Sequence, residues 1–252
     1  MVFVRVFRSM NVWLRMRMQR KSYVTLVSYR STKVVKALRI LVKWLGHASF
    51  HIRDGDRTIY IDPYEGQYED KADLILVSHS HADHCDASKI DMVRREDTVV
   101  IGPADCASKI GGSVKSLKPG EKTSVGSVTV EAAQAYNYKR FRSPGVPYHP
   151  KGFGVGYLLT IGDKAIYHAG DTDFIPEMKS LKSVYLALLP SGGTYTMDNP
   201  EAAEAALAIK PKYVIPMHRW QTNPEEFKKI VEGRSADVKV VLLRPGETFE
   251  IT

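Results

Sequence analysis

Ser78-His79-Ser80-His81-Ala82-Asp83-His84 follows directly on an unbroken apolar run at 74–77. A short continuous apolar run of this kind reads as a strand buried on both faces. A chain that turns at the end of such a strand gathers its next few side chains into one small volume. Between positions 79 and 84 those side chains include three imidazoles and a carboxylate. Neutral imidazoles and carboxylates are good ligands for zinc and related divalent ions. His79 and His81 share a parity, so an extended backbone points both the same way. Asp83 and His84 turn with the chain, placed for a second ion nearby. The competing reading is a polar helix cap with incidental histidines. It asks chance to gather an uncommon residue three times within six positions.

Outward from this segment the chain alternates strand-like and helix-like stretches. Before it, residues 40–44, 48–52 and 58–61 are apolar or alternating, with Asp54-Gly55 marking a turn. After it, strand patterns are expected at 98–101, 127–132, 154–161, 164–167, 184–189, 213–216, 238–243 and 248–251. Gly162-Asp163 is a hairpin signal between two of them. Helical spacing occurs at 87–94, 104–110, 201–209 and 225–232. The last two follow Asn199-Pro200 and Asn223-Pro224, each an N-cap residue with proline at the first helical position. Strands with helices between them imply a layered α/β sandwich. Residues 140–150 form an irregular loop rich in Pro, Gly and Tyr, the kind of segment that carries function.

Composition bounds the reading. The chain has 252 residues, 44% hydrophobic and 25% charged, which suits one large globular domain or two small ones. No apolar run approaches the roughly 18–20 residues of a membrane-spanning helix. Two cysteines, Cys85 and Cys106, exclude a disulfide framework and suit a reducing compartment, so a cytoplasmic location is expected. The net charge of +8 is local: residues 1–40 hold ten Lys and Arg and no acid. The remainder holds 26 basic against 28 acidic residues, a net of −2, and implies no nucleic-acid-binding face. Residues 1–38 are therefore read as a basic extension and 39–252 as the folded domain. The extension has the acid-free, Arg- and Ser-bearing composition of an organelle transit peptide. An anionic membrane surface, nucleic acid, or no folded role at all are the other readings. Arg15, Arg17, Arg20 and Lys21 interrupt it too often for a secretory signal.

His79-x-His81-x-Asp83-His84 resembles the metal-binding signature of the metallo-β-lactamase fold superfamily. Trp44-Leu45-Gly46-His47-Ala48-Ser49-Phe50 resembles the opening of its lactonase-like, metal-dependent hydrolase branch. Thr58-Ile59-Tyr60-Ile61-Asp62-Pro63 resembles the strand that follows. Ile166-Tyr167-His168-Ala169-Gly170-Asp171-Thr172 resembles the segment with the bridging aspartate, and Ile215-Pro216-Met217-His218 the last ligand segment. The resemblance runs in order from about Leu41 to the end and covers none of the extension. It implies a four-layer αββα sandwich with metals at the edge of two sheets. Carried over by position, His79 and His81 bind a first metal, Asp83, His84 and His218 a second, and Asp171 bridges them.

One ligand departs from the pattern. Relatives place a third histidine for the first metal at the end of a strand before the bridging aspartate. Asn137 falls there, and His149 lies twelve residues later in the loop. Either His149 folds back to complete the site or Asn137 and water do; imidazole is the better ligand and favours His149. His168, three residues before Asp171, is read as orienting the bridging carboxylate or protonating a leaving group, against a satisfied buried histidine. His47 is read as supporting the site or as core, and Asp62 as holding a ligand histidine by its other nitrogen. His51 reads as a strand residue and Cys85 as a small buried one. Tyr136, Tyr138, Tyr148 and Tyr195 are candidate substrate donors or packing aromatics. Lys139, Arg140, Arg142 and Lys151 are a candidate phosphate or carboxylate site, or a solvated loop.

The resemblance implies a hydrolase with two divalent ions, Zn2+ first, with Mn2+, Fe2+, Co2+ or Ni2+ as alternatives. Metal binding lowers the pKa of water from about 15.7 to about 7. The resemblance implies that such a water would attack a small ester, lactone, amide or phosphodiester, with Asp83 orienting it. A metal-binding protein without turnover is the reading from another class, and a nuclease is disfavoured by the acidic body. Homo-oligomerisation is left open.

Overall fold

The structure is a computed structural model and describes residues 39–252. The extension expected at 1–38 lies outside the described residues. The first half of the domain runs β1 (Ile40–Gly46), β2 (Ser49–Asp54), β3 (Arg57–Ile61), β4 (Leu74–Leu76), α1 (Ala87–Val93), β5 (Val99–Ile101) and α2 (Cys106–Ile110). The middle adds β6 (Lys122–Val125), β7 (Val128–Ala135), β8 (Phe141–Ser143), β9 (Val146–Pro147), β10 (Gly154–Ile161) and β11 (Lys164–His168). A 3-10 turn at Pro176–Ser180 precedes β12 (Val184–Pro190), α3 (Asn199–Ile209), β13 (Tyr213–Met217), α4 (Pro224–Arg234), β14 (Lys239–Val240) and β15 (Thr248–Ile251).

Two sheets form. One has the order β15-β1-β2-β3-β4-β5 and the other β14-β13-β12-β11-β10-β7-β6. Strand periodicity sorts the unbroken apolar runs into separate cores. Leu74 and Leu76 face the space between the sheets, while Ile75 and Val77 face α1 and α2. Leu186 and Leu188 likewise face the other sheet, and Ala187 and Leu189 face α3 and α4. Each sheet thus buries both faces, and the layers are helix, sheet, sheet, helix. This is the expected α/β four-layer sandwich.

Local readings differ in four places. α3 is capped by Asp198, not Asn199: Asp198 Oδ1 accepts from the Glu201 N–H at 2.9 Å. Asn199 is the first helical residue, buried, and donates to Asn223 O and Glu226 Oε2. β6 has no hydrophobic pattern to announce it, being a polar edge strand. The loop at 140–150 contains the β8–β9 hairpin. The strand expected over 238–243 shrinks to β14. No helix among the described residues is long and apolar enough to cross a membrane.

Candidate metal centre

The metal-ligand candidates all come from the ends of strands at one edge of the sandwich. The histidine motif follows β4, Asn137 follows β7, Asp171 follows β11 and His218 follows β13. His47 sits in the turn between β1 and β2. Two backbone hydrogen bonds tie the sheets together here: His218 N to His47 O at 2.9 Å, and Val155 N to Ser78 O at 2.9 Å. Among the described residues, four of the six non-glycine positions with positive φ belong to this edge: His47, Asp62, His218 and Trp220. Left-handed backbone is costly for such side chains, and its concentration marks a site that the surrounding structure enforces.

The side chains converge in three overlapping groups, whose ligand atoms lie within 4.8 Å of one another. His79, His81 and His149 form one. His47, Asp83, His84 and His218 form another. His79, His84 and Asp171 join them. His81 Nδ1 lies 3.0 Å from His79 Nε2 and 3.2 Å from His149 Nε2. Asp171 Oδ2 lies 3.2 Å from His218 Nε2 and 3.4 Å from His149 Nε2, and its Oδ1 lies 3.5 Å from His84 Nε2. Zinc–nitrogen bonds of about 2.0–2.1 Å put adjacent tetrahedral ligands roughly 3.3–3.4 Å apart, so these are cation-ligand spacings.

Satisfaction points the same way. His84 Nε2, Asp171 Oδ1 and both ring nitrogens of His218 are buried without a hydrogen-bond partner. The 3.2 Å approach of His218 to Asp171 is not aligned as an N–H donation. Unsatisfied buried polar atoms are rare and costly; several converging on one point are what a cation's ligand set provides. The residues present therefore fit divalent ions.

The outer nitrogens are held by the scaffold. Asp62, fully buried, accepts from Ser78 N (2.6 Å) and Ser78 Oγ (2.6 Å), and from His84 Nδ1 at 2.8 Å. That leaves His84 Nε2 to face Asp171. The Asn137 carbonyl oxygen accepts the His149 backbone N–H at 2.9 Å and His149 Nδ1 at 2.7 Å. Nδ1 therefore carries the proton, and Nε2 offers its lone pair to the cluster. The amide end of Asn137 donates to Asp173 Oδ1 at 3.0 Å and Tyr195 O at 3.1 Å. His149 thus joins the first group, while Asn137 supports it from behind. Asp173 was not singled out in the sequence; its place two residues after Asp171 is the only signal.

Burial and neighbouring charges shift these groups in opposite directions. Burial pushes His149 down to about 4 despite Asp171, and lowers His79 and His81 as well. Burial opposes ionisation of Asp171, yet His218 and His84 outweigh it and hold its pKa well below the usual carboxylate range. Burial also opposes charge on His84, but Asp171 and Asp62 raise it well above the ordinary value.

A family model described as a β-lactamase superfamily domain matches residues 41–218, from β1 to the last histidine. The chain belongs to the metallo-β-lactamase superfamily. A UPF0173 metal-dependent hydrolase of Thermococcus kodakarensis is 34% identical over 229 residues, covering 84% of this chain and 100% of that one. A crystal structure assigned as a metal-dependent hydrolase of Parabacteroides distasonis aligns with TM-score 0.76 at 34% identity, over 82% of this chain and 94% of that one. The metallo hydrolase of Ignicoccus hospitalis aligns with TM-score 0.70 at 26% identity, over 85% and 99%.

Within this superfamily member the remaining candidates separate. His47 enters the ligand cluster, its Nε2 3.1 Å from Asp83 Oδ2. His168 does not. Gly170 N–H donates to its Nδ1 at 3.2 Å, so Nε2 carries the proton and donates to Ala48 O at 2.9 Å. Both nitrogens of this fully buried ring are taken by backbone, and neither is left to protonate a leaving group. Tyr136 and Tyr138 bond Glu177 and Phe174 O. Of the loop cations, Lys139 pairs with Glu201, Arg140 with Asp173 and Glu201, and Lys151 with Glu177. Only Arg142 of the four has no carboxylate, donating instead to Tyr148 O.

Proposed function

We propose that this enzyme is a dinuclear metal hydrolase acting on a small ester, lactone or phosphodiester, working in the cytoplasm. The observation that carries the reading is that both ligand groups meet at Asp171: His149 and His218 approach its Oδ2, and His84 its Oδ1. His79, His81 and His149 would hold one ion, Asp83, His84 and His218 the other, and Asp171 both. When bound, divalent ions here supply an acidified water and Lewis-acid polarisation of the attacked oxygen. Zinc is the first choice for this nitrogen-rich set, with manganese, iron, cobalt and nickel as alternatives. Cys85 and Cys106 are free, buried thiols, which suits a reducing compartment.

The protein's own contribution is orientation and access. His79, His84, His149, Asp171 and His218 are buried, whereas His81 and Asp83 are partly open. Substrate would approach over those two. Asp83 would orient the water that bound ions acidify. His47 holds that carboxylate through Nε2. Asp62 and Asn137 fix the rings of His84 and His149 as described, so little reorganisation is needed. His168 locks the β11 end against Ala48 rather than moving protons.

The test is metal content per chain in the purified protein, in His149→Ala and in Asn137→Ala, with turnover of 4-nitrophenyl acetate and bis(4-nitrophenyl) phosphate. Two metals are expected, with one lost in His149→Ala together with turnover. A single metal retained in both variants would sink the dinuclear reading. Two metals with no turnover on either ester would favour a binding protein of the same fold.

A further inference from the structure

The described residues include ten arginines, and eight of them pair with a carboxylate. The two without such a partner, Arg142 and Arg219, both border the metal centre. Arg142 is exposed on β8 and donates to Tyr148 O, next to His149 in the chain. Arg219 directly follows His218 and is half-buried. Its guanidinium lies 4.2 Å from the Trp44 ring centre, and Nη2 donates to Leu243 O at 2.7 Å. Nε and Nη1 have no partner among the described residues. A half-buried cation without a counter-ion is unfavourable unless something else supplies the charge.

Arg219 lines a cavity of about 460 Å³ together with His47, Trp44, Trp220, Thr222 and Glu65. Glu65 is exposed, lies over Gly46 and makes no ion pair with Arg219. His47 lines the cavity and also belongs to the ligand cluster, so cavity and cluster share that side chain as a wall. Trp220 is its other wall. It is 60% exposed, so burial does not explain its position, yet its backbone is left-handed at φ +49°. Its indole packs over Gly192 so closely that a Cβ there would sit 2.6 Å away. The ring stands 5.3 Å from His47 and 5.6 Å from His218, centre to centre. Tyr195, also exposed, stands 6.3 Å beyond it. An exposed aromatic held in a strained conformation against a metal centre serves a ligand rather than the core.

We propose that the substrate carries an oxyanion, carboxylate or phosphate, bound by Arg219 in the cavity beside His47, with its apolar body against Trp220. Planar guanidinium donors match either oxyanion. The substrate class narrows to anionic esters, lactones or phosphodiesters bearing a hydrophobic group. The proposal takes from the hydrolase reading only the identity of the bond broken; the binding itself stands apart from turnover.

The test is equilibrium binding to the metal-loaded full chain, by calorimetry, of three probes: 3-phenylpropionate, phenyl phosphate and neutral 3-phenylpropionamide. Arg219→Gln should weaken the anions about tenfold, the loss of one charge-assisted hydrogen bond, and leave the amide within about twofold. The anion that loses more identifies the source. Arg219→Lys should keep most of the anion affinity, which a purely structural role for Arg219 would not. Trp220→Ala should weaken all three roughly three- to tenfold. Unchanged anion affinity in Arg219→Gln would place the anion on the metals and overturn the proposal. Equal loss of anions and amide, with Arg219→Lys no better, would make Arg219 structural and overturn it too. Absence of ester turnover with these binding patterns intact would count against hydrolysis and not against the subsite.

Discussion

Asn137 spends both ends of its amide. The oxygen accepts from the His149 backbone and ring, and the nitrogen reaches Asp173 and Tyr195 O. Asp173 also accepts from the Tyr138 and Lys139 N–H groups at 2.8 and 2.7 Å and pairs with Arg140. A chain of buried hydrogen bonds thus runs from a buried carboxylate to a ligand ring, fixing its tautomer and direction. Asn137→Leu should keep the volume and remove the acceptor. Metal affinity of the first group should fall about 10–100-fold, measured by chelator competition, while the second ion stays. Equal affinity in wild type and variant would show that the loop alone positions His149.

At the scale of elements, caps and close contacts decide where the ligands stand. α3 begins on Asp198, and Asp198→Ala should cost about 1 kcal/mol of unfolding free energy, read from urea denaturation. Asn199→Ala should cost a comparable amount for a different reason, since Asn199 ties α3 to Asn223 and Glu226 on α4. The first turn of β10 shows the second device. A Cβ at Gly154 would lie 2.9 Å from His79 Cβ. Gly154→Ala should therefore displace His79 and lower metal occupancy of its group, visible as fewer metals per chain with the melting transition still cooperative. The Pro-bearing starts of α3 and α4 were legible in the sequence because N-terminal capping is local chemistry. The identity of the α3 cap was not, since Asp198 and Asn199 are both competent and only the path of the backbone chooses between them.

For the whole molecule, stability should depend on pH through His51. Its ring stacks on Tyr60 at 4.6 Å, and burial lowers its pKa to about 4. The unfolded chain, with a histidine near 6.5, binds the proton first as pH falls. The stability linked to His51 is therefore complete above about pH 6.5 and is lost progressively between about 6.5 and 4. His51→Phe keeps the stacking and removes the titration. In metal-free protein its urea midpoint should decline less steeply than wild type's across that window. Parallel declines would assign the acid sensitivity elsewhere.

Apolar patterning and short motifs along the chain were enough to read the layered architecture and most of the candidate ligand set. Strand-length apolar runs can bury both faces only between layers, and six of the seven ligand candidates, all but His149, lie in motifs a few residues long. His79, His81, Asp83 and His84 are neighbours because one turn makes them so. That His149 turns its ring toward the cluster while Asn137 stands behind it emerges only in the packed fold. The same packing brings His47 beside Asp83 and occupies both nitrogens of His168 with backbone. These outcomes rest on contacts between residues 12 to 120 positions apart, such as His149 with Asn137 and His168 with Ala48. A hydrogen bond of that reach has no periodicity along the chain, and it exists only once two sheets have packed.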